Sequence, residues 1–250
     1  MSLSDMPRRS AGQGRRFHDT RMLDVKVAEV RDVTPAMREL TLTGPTLAVL
    51  RSKPGAHLPL EVPDVDGVPR LRTYSVWRHS PSRATLTLRI ALHRPGGPGS
   101  RWVFSAVTGD RTRLGVPRNR ITLETRARYH VFIGEETGAV PLLTMLAALP
   151  AGAAACGVLE TTGPDGEFSA PYGPRGLPWV HRGRASAVGS RVLLEAVRRL
   201  RLPAEPGIAY VAGEATTCRA VVRHLCGERA WPRYAVKTQV HWAAGRTGIL

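Results

Sequence analysis

The sequence predicts an antiparallel β-barrel followed by an open α/β domain, and three observations carry that prediction. Up to about residue 126 the apolar residues mostly alternate with polar ones, in short runs separated by Gly/Pro-rich connections. From about residue 128 short apolar runs alternate instead with amphipathic helical ones. The 25 glycines and 20 prolines are spread along the chain, as many turns require, and 250 residues are enough to bury a sizeable core.

In chain order, "MLDVKVAEV", "RELTLTG", "HLPLEV", "RTYSVW", "ATLTLRIAL" and "RITLE" read as strands, with "SKPGAH", "PDVDGVP" and "RPGGPGS" between them. Several short strands punctuated by turn signals imply a barrel or a sandwich. "SRWVFSAV" is predicted as a short helix with Ser100 as its N-cap. The second half runs "YHVFIG", helix "AVPLLTMLAAL", "AACGVLE", helix "SRVLLEAVRRL", "IAYVAG", helix "EATTCRAVVRHLCGER" and "YAVKTQVHW". Strand and helix in alternation build βαβ units and a parallel sheet. The segment from Thr161 to Ala187 is too long for a simple connection, and "PWVHRGR" within it is expected to add a strand or cover the sheet edge. The expected organisation is a basic tail over 1–17, a barrel over 18–126 and an α/β domain over 127–250.

The formal charge of +16 comes almost wholly from arginine, since only Lys26, Lys53 and Lys237 are lysines. Residues 1–126 hold 22 basic and 11 acidic side chains, and the remainder 14 and 9. Such a surface attracts anions of any kind. A nucleic-acid binder is disfavoured: no RNP, KH, helix-turn-helix or zinc-finger pattern occurs, and the few aromatics do not interleave with a basic stripe. Cys156, Cys218 and Cys226 have no metal-ligand spacing and read as small buried residues of a reducing, cytoplasmic protein. No run of roughly 18 apolar residues is present, so no membrane-spanning helix is expected. Arg8, Arg9, Arg15 and Arg16 lack the apolar run that a signal peptide would place behind them.

Open parallel sheets bind ligands beyond the carboxyl ends of their strands. "GEETGAV" and "AGEATT" sit at two such ends and each opens a helix, but neither contains GxGxxG. Taken alone, each is better explained as an ordinary strand-to-helix connection whose acidic first-turn residues complement the helix dipole. "HRPGGPGSRW" offers a Gly/Pro loop and a helix start whose backbone amides suit a pyrophosphate, or else a plain hairpin loop. It does not stand alone: His93 closes the strand before it, and "RTYSVWRH" upstream sets Arg72 and Tyr74 on one strand face with Thr73 and Ser75 on the other.

The order "RTYS", "LRIALH", "GGPGSRW", "GD", "GEET", "AGEA" and a C-terminal Trp resembles the siderophore-interacting protein family of ferredoxin reductase-like flavoproteins, over nearly the whole chain after the tail. The resemblance implies that the barrel binds FAD through the Arg72, Thr73, Tyr74, Ser75 strand. Tyr74 would pack on the isoalloxazine, Ser75 would hydrogen-bond near the ring, and Arg72 would pair with the pyrophosphate. By the same resemblance His93 borders the flavin, and Gly97, Gly99 and Ser100 offer amides to the pyrophosphate. Thr137 lies at the barrel-to-sheet crevice, and Gly213 and Glu214 lie where NADPH or NADH enters. Trp242 either stacks on the flavin or sits in the core.

The implied reaction is hydride transfer from the nucleotide to FAD, then single electrons to a ferric siderophore, with no catalytic side chain and no protein metal site. Arg78, Arg89 and Arg94 are candidates for an anion-attracting mouth. Two departures from the family pattern stand out. Glu135 occupies the second place of Gly-Asp-Glu-Thr, and Val240, His241, Trp242 and Ala243 stand where Gly-Tyr-Trp-Arg is common, so a cation is lost. Two other roles remain open: electron transfer to a partner oxygenase, with a separate ferredoxin as possible redox partner, or a non-redox role in binding or cyclising a small molecule.

Overall fold

The structure is a computed structural model that describes residues 21–63, 67–93 and 96–246. The tail expected over 1–17, and Arg94, lie outside the described residues. Six antiparallel strands close a barrel: β1 (Met22–Thr34), β2 (Met37–Thr43), β3 (His57–Val62), β4 (Arg70–Ser80), β5 (Thr85–Ala91) and β6 (Arg111–Gly115), in the spatial order β1-β2-β5-β4-β3-β6. The period-2 pattern turns Leu40, Leu42, Leu58, Leu60, Leu86 and Leu88 into one fully buried core. Pairing of β1 with β6, from Met22↔Gly115 to Lys26↔Arg111, closes the barrel and excludes the sandwich alternative.

Two expectations need correction here. "RITLE" forms no strand, because the closed barrel leaves no free edge for a seventh one. That segment instead bridges the two halves, burying Ile121 and donating the Glu124 N–H to Tyr210 Oη at 2.7 Å. Helix α1 (Pro98–Ser105) exists, but its N-cap is Gly97 and not Ser100. Pro98 takes the first helical position, where a fixed φ and a missing N–H cost nothing, and so moves the helix start two residues upstream of Ser100.

The second half is a five-stranded parallel sheet in the order β11-β10-β7-β8-β9, with β7 (His130–Glu135), β8 (Ala155–Thr161), β9 (Trp179–His181), β10 (Ile208–Glu214) and β11 (Val236–Trp242). Helix α2 (Glu136–Ala147) packs between the sheet and the barrel, where Leu142, Leu143 and Met145 share a core with Met37 and Trp77. Helices α3 (Arg191–Arg199) and α4 (Ala215–Arg223) cover the opposite face through Leu193, Val197, Cys218 and Val221. Within Thr161 to Ala187, β9 adds the expected edge strand. Phe168 from the same segment meets Trp77 of the barrel edge-on at 5.9 Å and Trp179 of β9 at 5.3 Å, fastening the sheet edge to the barrel. Cys156, Cys218 and Cys226 are unpaired. Among the described residues no helix is long and apolar enough to cross a membrane.

Candidate functional site

A cavity of about 290 Å³ opens where the barrel meets the sheet. β4 sends Arg72, Thr73, Tyr74 and Ser75 to its wall, β5 is followed there by His93, and the start of α1 contributes Gly97, Gly99 and Ser100. Tyr74 packs on the barrel core, and burial pushes its phenol well above the usual range. Gly99 is needed for close approach: a Cβ there would run into Tyr74 Oη and lie 3.2 Å from Arg72 Cγ. The helix start therefore rests directly on the Arg72 and Tyr74 side chains. Arg72 donates from Nη1 to the Leu71 carbonyl at 2.9 Å, and among the described residues no carboxylate pairs with it. A guanidinium without a counter-ion beside backbone amides suits an anionic group.

The sheet supplies the facing wall through Thr137 of α2 and through Gln239, His241 and Trp242 of β11. Trp242 is half-buried, tilts against His93 at 6.1 Å and donates its indole N–H to Glu135 Oε1 at 3.2 Å. Glu135 caps α2, accepting from the Thr137 N–H at 2.7 Å and from the Thr137 hydroxyl. Burial, reinforced by the neighbouring Glu136, pushes its carboxyl up to about 8.

A proton held by the folded state and released by the unfolded one makes stability fall as pH rises, here between the ordinary glutamate value and about 8. Glu135→Gln is expected to remove that slope. Its melting temperature relative to wild type should climb from pH 5 to pH 8, whereas parallel curves would refute the assignment. Any loss of capping adds a constant offset and leaves the slope readable.

Gly213 and Glu214 do not reach this cavity. Glu214 caps α4, accepting from the N–H groups of Thr217 at 2.8 Å and Gly189 at 3.2 Å. Burial acts to raise its pKa, and the backbone N–H groups of Thr216, Thr217 and Gly189 outweigh it, holding the carboxyl below its ordinary value. Gly213 has φ +132, and a Cβ there would lie 2.6 Å from Glu135 Oε1. A side chain at 213 would thus disturb the Glu135 cap before it met any ligand. Glu160, fully buried at the end of β8, accepts from the Ser190 hydroxyl, and Arg182 from beyond β9 pairs with Glu136 and with Glu160, the latter at 3.4 Å. The carboxyl ends of β7, β8 and β10 are therefore dense in carboxylates, with one arginine among them.

The arginines proposed for a mouth divide. Arg78 and Arg89 both pair with Glu39, each at 3.0 Å, and Arg89 also lies 3.8 Å over the Trp77 ring. Arg246, four residues past Trp242, reaches the cavity wall and restores a cation where Ala243 removed one. Sequence reasoning also missed His57 and Gln239. His57 opens β3, and its imidazole is held down to about 4 by burial, with Arg120 and Arg118 adding to the effect. His241 is likewise lowered to about 4 by burial and by His57. The local signal was the polar alternation Lys237, Gln239, His241 on one face of the last strand. Three buried atoms without a protein partner, Arg89 Nη1, Gln239 Oε1 and His241 Nε2, belong to residues of this wall. An aromatic floor, an unpaired arginine, a glycine cradle and unspent polar atoms fit a flavin dinucleotide.

Comparison with known proteins agrees with that fit. Residues 58–121 match the family model described as the siderophore-interacting FAD-binding domain, and residues 127–245 match the model described as siderophore-interacting protein. A siderophore utilization protein from T. fusca superposes with a TM-score of 0.77 at 26% identity, over 92% of this chain and 95% of that one. The siderophore-interacting protein SipS from Aeromonas hydrophila superposes with a TM-score of 0.78 at 23% identity, over 91% and 94%. Among curated proteins, the heme-dependent oxidative N-demethylase beta subunit of Ectopseudomonas mendocina is 30% identical over 125 residues, 49% of this chain and 38% of that protein. The chain thus spans well under half the length of that relative.

Proposed function

The chain belongs to the siderophore-interacting protein family, and from that premise we propose that it is a cytoplasmic FAD-dependent reductase of ferric siderophores. The observation that carries this reading is the single cavity walled by Arg72 and Tyr74 from the barrel and by Thr137 and Trp242 from the sheet. Bound FAD supplies acceptance of a hydride from NADPH or NADH and delivery of its two electrons, one at a time, to two ferric centres. The chain's own residues bind and orient. Arg72 and the amides of Gly97, Gly99 and Ser100 hold the pyrophosphate, Tyr74 supports the ring, and Ser75 and Thr73 line its edge. His93 and Trp242 close the opposite side. Arg246, beside the cavity, favours an anionic ferric chelate. Iron enters and leaves inside its chelator, as substrate.

One observation favours a different electron donor. Glu136, Glu160 and Glu214 crowd the strand ends where a dinucleotide's phosphates would sit, and Arg182 is already paired there. Like charges oppose phosphate, which suits a reduced ferredoxin delivering electrons directly, or a role as one subunit of an oxidative enzyme, as the demethylase beta subunit's name states for that protein. The experiment is anaerobic: record the visible spectrum of the purified protein, add NADPH or NADH, then a ferric hydroxamate or catecholate. Bleaching by nucleotide and recovery with iron supports the reductase. Bleaching only by reduced ferredoxin selects the other donor, and flavin that neither donor bleaches refutes both.

A further inference from the structure

We infer that Gln239 and Arg89 together read the imide edge of the flavin ring, Gln239 Oε1 accepting from the ring N3–H and Arg89 Nη1 donating to a carbonyl oxygen beside it; this rests on the flavin reading above. Buried polar groups in folded proteins nearly always have partners, so two orphan atoms on residues that line one cavity call for a partner there. Gln239 is 2% exposed and Arg89 is 8% exposed; both residues line the cavity, and each carries a buried side-chain atom that no protein group satisfies.

Gln239 Nε2 lies 3.4 Å from His57 Nδ1, and with the His57 proton on Nε2 that contact takes an amide N–H and leaves Oε1 as the unspent acceptor. His57 can accept there because its imidazole is neutral at physiological pH. Arg89 places Nε and Nη2 on Glu39 Oε2 at 3.1 and 3.0 Å and lies flat on Trp77, so Nη1 is the nitrogen left over. These two residues thus offer one acceptor and one donor. The flavin pyrimidine edge carries the complement, an N–H flanked by two carbonyls, and N3–H is the only donor on the oxidised ring.

Methylation at N3 deletes that donor and adds bulk against Gln239. The test is to strip flavin from the full chain and titrate the apoprotein with FAD and with 3-methyl-FAD, for wild type and Gln239→Leu. Wild type should prefer FAD by about tenfold or more, because a site built around a hydrogen bond rejects the analogue lacking it. Gln239→Leu should bind FAD less tightly and compress the preference toward unity. Each ratio is taken on one preparation, so a reduced folded fraction cancels. Equal binding of the two flavins by wild type overturns the inference even if the variant does not fold. Retention of the full preference by Gln239→Leu overturns it as well. Failure of wild type to bind FAD at all would instead remove the flavin reading on which it rests.

Discussion

Arg72→Ala is expected to purify nearly free of flavin and to bind added FAD roughly one to two orders of magnitude more weakly than wild type, the loss that follows when a charge-assisted hydrogen bond of about 1.5–3 kcal/mol is removed. The effect should be confined to binding. Arg72 makes one hydrogen bond within the protein, to the adjacent Leu71 carbonyl, and no ion pair among the described residues, so the fold loses little with it. Gly99 sits 3.2 Å from Arg72 Cγ as judged from an added Cβ, which puts the guanidinium stem directly under the first amides of α1. Arg72→Lys keeps the charge and loses the two-pronged geometry, and should fall between the two. The measurements are the ratio of visible to ultraviolet absorbance on purification and a titration of apoprotein. Stoichiometric flavin in Arg72→Ala would take this residue out of the site.

How much of this was legible depends on whether the signal is local. Alternation in "ATLTLRIAL" and "RELTLTG" marks half-buried strands because each face of a strand meets one environment, and both segments are barrel strands. Closure was not legible, since it rests on β1 meeting β6 some ninety residues later. "RITLE" alternates just as well and forms no strand, because pairing needs a free edge and the barrel has none. Ser100 has the chemistry of a cap, but Pro98 starts the helix before it.

The site divides in the same way. Ten of the twelve residues expected to bind cofactor line one cavity, whereas Gly213 and Glu214, expected where the nicotinamide nucleotide enters, stand outside it. "AGEA" repeats the strand-to-helix grammar of "GEET", but Glu214 is consumed as a cap and Gly213 faces the Glu135 side chain. His57, Gln239 and Arg246 are single residues from separate elements, and only the packing of β11 and its following turn beside β3 gathers them. Arg89 lay within a recognised strand, yet its partner Glu39 on β2 made it a buried, ion-paired residue and not part of an open mouth.

That partnership carries the largest stability effect expected in the molecule. Glu39 accepts from Arg31 at 2.9 Å, from Arg78 at 3.0 Å and from Arg89 at 3.0 Å, so one carboxylate neutralises a cluster of three guanidiniums. Arg31 and Arg78 are half-exposed and water screens them; Arg89 is buried, and burial has already drawn its pKa down to about 10 against the pull of Glu39. Glu39→Ala would leave that buried cation uncompensated beside two others, a loss of about 3–5 kcal/mol, and a melting temperature lower by on the order of 10 °C for a chain of this size. Arg31→Ala is the control, because a half-exposed ion pair is worth at most about 1 kcal/mol. Burial works to raise the Glu39 carboxyl, but the hydrogen bond from Arg31 and the charges of Arg89, Arg78 and Arg31 hold it below its ordinary value. Its contribution is therefore complete above the ordinary carboxylate range and is lost as pH falls through the lowered pKa, so the melting temperatures of wild type and Glu39→Ala should converge in acid. Equal losses in Glu39→Ala and Arg31→Ala at neutral pH would mean that Arg89 finds solvent, and its Nη1 would then be free to leave the cavity wall.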